Sequence, residues 1–534
     1  MISEILTRIL TKRKPILAAE NKDFIEHNRD FWSNYSVKSD NHKILIEEPL
    51  HPIITHANGV FTVILNQAKS FTPVWLHSNR CEIELLKSYV PTAEYLKISL
   101  SPINKLKFIF VALKEFLIIY KTKDLLSFSY DGIKYGDIVY DTYLTTFQLA
   151  TIKKIDLKLI PLIYLCICRH EGIRKILDHG DFEAVLVSHQ IGIQSGVMLR
   201  TALRYGYRGF LRAGHHESTL QCFKKLSEVY DYEYKPLPED VDEIIERLGL
   251  KFDITYKSIL DIQISGKGSK DGIYAFSKNN KYYLDRETFN NDYGLDSKKK
   301  NVFVMLHAFN DHPHSHFKWM IFKDYYDWFI QTLHFSEQND TVNWVFKQHP
   351  SIKLYTTKDV SIDTLFLDSP KHITYISENE QIDTRSLIYC ADVIITCIGS
   401  AGFELPAMGG IPSITAGDNF YADLGFTFEP KTKNEYFNIL ENIHHIERLT
   451  PGQQKRAQAA YMYIYYYSKI NVSACPILSD EDEKDQNANV WYWKKVNHLY
   501  VAKEETIKNE LCNHIAQITK PKFKRLNRTI EPPQ

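Results

Sequence analysis

Short apolar runs alternate with longer segments whose apolar residues fall three and four apart. In the first half, "GVFTVIL" from Gly59, "PVWLH", "EAVLVSHQ" and "YRGFLRA" have the length and β-branched character of strands. "PINKLKFIFVALKEFLIIYKT" and "KIDLKLIPLIYLCICRHEGIRKILDHG" carry helical spacing, the second with an expected kink at Pro161. "GIQSGVMLRTALRYG" predicts a further helix, stopped by Gly206. Strand and helix in alternation predict a mainly parallel sheet with helices on both faces.

From Pro236 to Lys300 the pattern weakens into a polar, lysine-rich stretch, which reads as the end of the first unit plus a linker. It resumes with "NVFVMLH", "VNWVFKQHP", "HITYIS", "DVIITC" and "IPSITAG" as strands. "FKDYYDWFIQTLHFS", "QIDTRSLIYC" and "GFELPAMGG" lie among them as helices. The fold class expected is therefore α/β: two Rossmann-like lobes, 1–297 and 298–450, followed by helices and a basic tail over 451–534. By analogy of element order this resembles the two-lobed glycosyltransferase architecture, GT-B, although fold alone does not set function.

Composition narrows the classes. The chain has 534 residues, with Lys+Arg and Asp+Glu at 65 each, so the basic excess of a nucleic-acid binder is absent. Eight cysteines show no CxxC pair, and Cys166 and Cys168 sit in an apolar helix, which reads as a reduced, cytoplasmic inventory. "MISEILTRILTKRKPIL" lacks the apolar core of a signal peptide, and no apolar run is long enough to span a bilayer. The tail from Lys520 to Arg528, with Phe523 and Leu526 among its basic residues, and the N-terminal "ILTRILTKRK" are candidate contacts with an anionic membrane surface.

Candidate chemistry gathers at strand ends in the second unit, where open α/β sheets bind ligands. His307-Ala308-Phe309-Asn310-Asp311 follows one strand and Lys347-Gln348-His349-Pro350 another. Gly399-Ser400-Ala401 follows a third, and Gly417 to Tyr421 a fourth. Gly399 and Ser400, between a strand and a helix, predict either an anion cradle of free N–H groups or a tight turn with a capping serine.

"KQHP" together with "ADVIITCIGSAGFELPAMGGIPSITAGDNFYADLGFTFEPKTKNEYF" resembles the bacterial capsule and surface polysaccharide glycosyltransferases, among them the Kdo transferases. The shared features are His-Pro after a strand, a Gly-Ser turn, a glutamate in the next helix, G-x-P, and Tyr before Gly-Phe-Thr. The likeness is dense over 301–436. "YDGIKYGDIVYDTYL" adds a thinner one in the first unit. The resemblance implies a metal-independent, inverting transferase needing no cofactor, acting at the inner face of the cytoplasmic membrane. Its donor would be a nucleotide sugar, CMP-Kdo-like, and its acceptor a glycan or lipid-linked glycan of capsule or lipopolysaccharide.

It also implies roles. Lys347, His349, Pro350, Gly399, Ser400, Ala401, Glu404 and Tyr421 would hold the donor nucleotide, with His349 donating to the leaving phosphate and Glu404 accepting from ribose. His216 and Glu217 would contact the acceptor. The general base stays open among Asp141, His189 and Asp311, with His215, His216 and Glu217 as further candidates. UDP- or GDP-sugar transfer, CDP-glycerol-type transfer and a non-catalytic glycan-binding relative are the alternatives. His312, His314 and His316 in "HPHSH" and Asp480-Glu481-Asp482 resemble metal motifs, but their loop and acidic-run settings predict solvated segments.

Overall fold

The computed structural model describes all residues except 1–14, 36–41, 78–82, 233, 266–279, 350, 351, 353, 354, 381, 480, 481, 483, 484, 486 and 534. The N-terminal basic stretch, Pro350, Asp480 and Glu481 thus lie outside the described residues. Two compact units emerge. One takes in Met1–Thr146, Lys154–Glu233 and Lys469–Asn527; the other takes in Phe147–Lys153, Tyr234–Ser468 and Arg528–Gln534.

The first unit is built on strands β1 (Lys43–Ile46), β2 (Thr72–Leu76), β3 (Glu94–Leu96), a small hairpin of β4 (Ser129–Tyr130) and β5 (Ile133–Lys134), β6 (Phe182–Val187), β7 (Arg208–Gly214) and β8 (Glu217–Phe223). The main sheet runs β3-β2-β1-β6-β7-β8, then a short terminal strand, Ile470–Asn471. Pairing is parallel from β3 through β7 and antiparallel beyond. The chain reverses between β7 and β8 at Gly214, whose φ is +79° and whose missing Cβ would strike the Glu217 carbonyl. Helices of this unit include α1 (Pro52–Lys69), α2 (Pro102–Thr122), α3 (Gly136–Phe147), α4 (Leu159–Asp178) and α5 (Val197–Arg204). The last follows a π-helical turn over Gly192–Gly196.

"GVFTVIL" is helical, not a strand. It lies inside α1, which begins with His51 accepting from the Ile53 N–H and with Pro52 preset for the first turn. The helix is buried on nearly every side, so its sequence shows no polar face to mark the 3.6 period. The first strand is instead β1, "KILI". Pro161 causes no kink; it lies in the first turn of α4, where its missing N–H costs nothing.

The terminal helices Ala488–Ala502 and Glu504–Thr519 pack on α1 in this unit, with Tyr492 and Trp493 wholly buried. After them the basic tail runs beside β8. Cys222 N donates to Lys524 O (2.8 Å) and Leu526 N to Leu220 O (2.9 Å), and Phe523 and Leu526 join the core. The tail's two apolar side chains are therefore sheet-edge packing and cannot insert into a bilayer.

The second unit carries β9 (Asn301–Met305), β10 (Asn343–Lys347), β11 (Ile373–Ile376), β12 (Val393–Thr396), β13 (Ser413–Thr415) and β14 (Thr427–Phe428). The sheet order is β11-β10-β9-β12-β13-β14, all parallel. This is the Rossmann order 3-2-1-4-5-6, and the first unit repeats 3-2-1-4-5 in its parallel strands. Helices α6 (Tyr325–Gln338), α7 (Ala401–Gly409) and α8 (Pro451–Met462) belong to this unit. The weakly patterned stretch after Pro236 holds helices Pro238–Leu248, Phe252–Ile264 and Arg286–Tyr293, and it packs with the second unit instead of ending the first. Pro238–Leu248 lies against α8.

Candidate functional site

In a 3-2-1-4 sheet the crevice opens where the connections leave in opposite directions, between the carboxyl ends of strands 1 and 4. Here these are β9 and β12. β9 delivers His307 to that point. Its Nε2 lies 3.1 Å from Thr396 Oγ1 and accepts the N–H groups of Cys397 (3.2 Å) and Ile398 (3.3 Å). Two N–H donors on one ring nitrogen require that nitrogen to be unprotonated, so the proton is on Nδ1. The ring stacks on Tyr325 with centroids 4.3 Å apart. Loss of hydration, then the nearby His349, push its pKa down to about 3, so His307 is neutral at pH 7.

β10 ends on Lys347. It is 7% exposed, and among the described residues its ammonium makes no hydrogen bond or ion pair. Desolvation pulls its pKa down to about 8, opposed by the charges of Asp383 and Glu380. His349 follows two residues on and is half-buried. The third element is the turn into α7. Gly399 N donates to Thr396 Oγ1 (3.1 Å), and Gly402, Phe403 and Glu404 donate back to Gly399 and Ser400 carbonyls. That leaves the N–H groups of Ser400 and Ala401 without a partner among the described residues, at the positive end of α7. Ser400 holds the N-cap position, but its side chain caps nothing and is exposed.

Tyr421 is wholly buried beneath the turn, and its hydroxyl donates to Gly399 O at 2.7 Å. A Cβ on Gly402 would collide with that hydroxyl. The glycine is required so that tyrosine and turn can approach. Glu404 accepts from Tyr465, near the end of α8. Asp311 is exposed in the loop after β9.

The residues placed in the first unit divide. Asp141 is wholly buried in α3. One turn earlier in that helix, Asp137 forms a buried two-pronged pair with Arg200 (2.8 and 2.7 Å) and accepts from Tyr230 (2.7 Å). Burial alone would raise its pKa, but Arg200 and Tyr230 hold it below the usual range. His189 follows β6, exposed, with Nδ1 2.9 Å from Ser188 Oγ. Partial desolvation lowers its pKa; Glu47 opposes the shift and Arg212 reinforces it. His216 Nδ1 bonds to Cys475 O (3.0 Å), and Glu217 pairs with Lys469 at 3.8 Å.

Sequence reading named the cluster after β9 but did not single out His307. The signal available was its place directly after the first strand of a 3-2-1-4 unit. Among the described residues no group of three or more His, Cys, Asp or Glu is arranged to hold a metal ion. Asp482 instead accepts from Lys495 (2.7 Å).

No family model matches this chain, and no curated protein does. Solved structures similar to it include the beta Kdo 2,4 transferase KpsC of Thermosulfurimonas dismutans, at 14% identity over 55% of this chain and 82% of that one, with a TM-score of 0.32. MurG of Acinetobacter baumannii is 11% identical over 80% and 95%, with a TM-score of 0.25. A UDP-GlcNAc 2-epimerase from Neisseria meningitidis, bound to UDP-GlcNAc, is 11% identical over 79% and 98%, with a TM-score of 0.23. At these scores the likenesses carry no argument about activity, and the fold class rests on the two sheets themselves.

Proposed function

We propose that the protein is a glycosyltransferase of the GT-B type that takes a sugar from a nucleotide-activated donor. What supports this is that a buried lysine and a histidine at the end of β10, a histidine at the end of β9, and two N–H groups without partners among the described residues at the start of α7 all lie at carboxyl ends of strands in the second unit's sheet. All five are hydrogen-bond donors, and the lysine carries a full positive charge. Such a cradle suits a phosphate group whose negative charge grows as a bond to it breaks.

In the proposed reaction the glycosidic C–O bond breaks and its electron pair passes to the phosphate oxygen. Lys347, His349 and the N–H groups of Ser400 and Ala401 take up that charge, and the neutral His307 offers Nδ1–H beside them. Tyr421 supports the turn from below and does not itself reach the phosphate. Glu404, fixed by Tyr465, is the proposed ribose contact. The acceptor oxygen attacks the sugar carbon and gives its proton to a base. Of the three residues proposed, Asp141 is sealed inside α3, whereas His189 and Asp311 are exposed where a substrate can reach them. The finer reading, a CMP-Kdo-like donor and a capsule or lipopolysaccharide acceptor, is supported by the His-Pro and Gly-Ser motifs.

A thermal-shift titration with CMP, CDP, UDP and GDP tests the proposal. One nucleotide is expected to stabilise the protein by about 2.7 kcal/mol at 100 times its Kd. That stabilisation is expected to fall at least tenfold in apparent affinity in His349→Ala. Absence of a shift with every nucleotide would refute a nucleotide-sugar donor.

A further inference from the structure

The first unit has its own switch point, between β1 and β6, and a cavity of about 220 Å³ opens there. Its lining includes Ile53 and Ile54 from the start of α1, His189 after β6, and Arg212 and His215 at the end of β7. Arg212 is the unusual member. It is 1% exposed, yet only part of its guanidinium is satisfied. Nε donates to Asn58 Oδ1 (2.8 Å) and Nη1 to Gly214 O, while Nη2 makes no hydrogen bond or ion pair among the described residues. Asn58 in turn donates to Glu47 (3.2 Å), whose carboxylate also accepts from Ser188 N (2.8 Å) and Ser195 Oγ (2.5 Å). Glu47 thus accepts hydrogen bonds from other donors; it makes no hydrogen bond to Arg212 among the described residues and reaches it through the Asn58 amide and by charge. Burial pulls the Arg212 pKa below its ordinary value, and the nearby charge of Glu47 opposes the shift without cancelling it.

A second feature points the same way. The Ile54 N–H in the first turn of α1 has no partner among the described residues; His51 answers the N–H groups of Ile53 and Thr55 on either side of it. The 18-residue helix therefore presents its positive end to the cavity that Arg212 enters.

We propose that this cavity is an oxyanion site, in which Arg212 Nη2 and the start of α1 bind a carboxylate or phosphate carried by a sugar-sized ligand. The assignment stands on the first unit alone and does not depend on the transferase reading.

Calorimetric titration of the full chain, at fixed ionic strength, with glucuronate, glucose 6-phosphate and glucose tests it. At least one of the two anions is expected to bind at millimolar concentration and glucose is not; which anion binds tells a carboxylate site from a phosphate site. Arg212→Gln is expected to weaken that binding at least tenfold. Because a buried substitution can unfold the chain, Ile54→Asp at the half-buried rim serves as the second variant and is expected to do the same by like-charge repulsion. Its nucleotide-induced thermal shift, which reports on the second unit, is expected to stay unchanged. Equal binding of glucose, no binding of either anion at 50-fold the millimolar range, or anion binding unaltered in the folded variants would overturn the site.

A different observation, on α2, carries a second proposal. Its buried stripe is Phe108, Ala112, Phe116 and Ile119, which packs on α4. The opposite side is apolar as well. Ile103, Leu106, Phe110, Leu113 and Leu117 are exposed, Ile103 by 80% and Phe110 by 65%. On a helical wheel they fall within a sector of about 100° directly opposite the buried stripe. Lys107, Lys114 and Lys121, all exposed, line one edge of that sector.

We infer that α2 lies in the surface of an anionic bilayer, its outer stripe among the acyl chains and its lysines at the headgroups. Each lysine near such a surface strengthens binding roughly fivefold at low salt. Co-sedimentation of the full chain with vesicles of 70% phosphatidylcholine and 30% phosphatidylglycerol is expected to show binding that weakens in 0.5 M salt. Phe110→Glu, at a position largely exposed to solvent in the free protein, is expected to lower it at least tenfold without loss of thermal stability. Equal binding to pure phosphatidylcholine, or unchanged binding by Phe110→Glu, would overturn the inference. So would a Phe110→Glu chain that turns from dimer to monomer in sedimentation with vesicle binding intact, which would assign the stripe to a second copy.

Discussion

His307 and Ile398 are joined across the switch point of the second unit, the Ile398 N–H donating to the ring's Nε2 at 3.3 Å. With the Cys397 N–H on the same atom, a side chain from β9 takes two main-chain donors at the end of β12. Those donors therefore do not serve a ligand, and the cradle begins one residue later than a bare Gly-Ser motif suggests. The ring also ties strand 1 to strand 4 of the sheet at the mouth of the crevice.

Removing the ring in His307→Ala leaves two N–H groups without their acceptor, at an expected cost of about 1–3 kcal/mol in denaturant unfolding. Neutrality of the ring also sets a pH dependence. Its folded pKa of about 3 lies below the ordinary 6.5, so between those values the unfolded chain binds the proton and the native one does not. Stability from this group is full above pH 6.5 and is lost as pH falls towards 3. His307→Gln, which keeps an acceptor but cannot titrate, is expected to flatten the stability profile between pH 6 and 4. A profile as steep as that of the wild type would show that His307 does not titrate in this way.

Lys347 makes a different prediction. With a folded pKa of about 8 and an unfolded value of 10.5, the native state binds fewer protons in that window, so its burden on stability eases as pH rises through it. A bound phosphate raises the pKa again. Nucleotide binding is therefore expected to take up protons between pH 8 and 9 and to weaken as pH climbs. Calorimetry in buffers of different ionisation enthalpy reads that uptake. Lys347→Met is expected to raise stability at pH 7 by about 1–3 kcal/mol while weakening nucleotide binding more than tenfold. Proton uptake persisting in Lys347→Met would assign it to another group.

The contact between Gly402 and Tyr421 is testable by a double-mutant cycle. Gly402→Ala drives a methyl into the tyrosine hydroxyl, and such overpacking costs about 1–3 kcal/mol. Tyr421→Phe removes the obstructing oxygen together with its bond to Gly399 O. The double variant is expected to be more stable than the sum of the two single losses predicts, by at least 0.5 kcal/mol. Strict additivity would place the strain elsewhere.

Transfer is expected to proceed without a divalent metal, because Lys347 supplies positive charge at the cradle and the Asp482 carboxylate is occupied by Lys495 and Ser479. Activity measured in excess EDTA should equal that in buffer. Loss of activity restored by Mg²⁺ or Mn²⁺ would count against the proposed charge balance.

Local pattern was enough for much of this protein. β-Branched runs followed by small or polar residues marked five of the second unit's six strands, all but the two-residue β14, and with them the positions of Lys347, His349 and Gly399, because a residue's place at a strand end follows from the strand alone. Where burial is complete on all sides the pattern fails: α1 has no polar face, and its Val, Ile and Thr read as a strand. Only the tertiary structure could show that the basic tail's Phe523 and Leu526 fill the core and that Asp137 spends its charge on Arg200, since both partners lie tens to hundreds of residues away. The same is true of His307, whose acceptor role needs the N–H groups of a strand about ninety residues later in the chain. Periodicity and turn chemistry act between neighbours in sequence. Which polar groups are left without partners is decided only when distant strands are brought side by side, and it is the groups without partners among the described residues, on Lys347, Arg212 and the starts of α1 and α7, that mark the candidate sites.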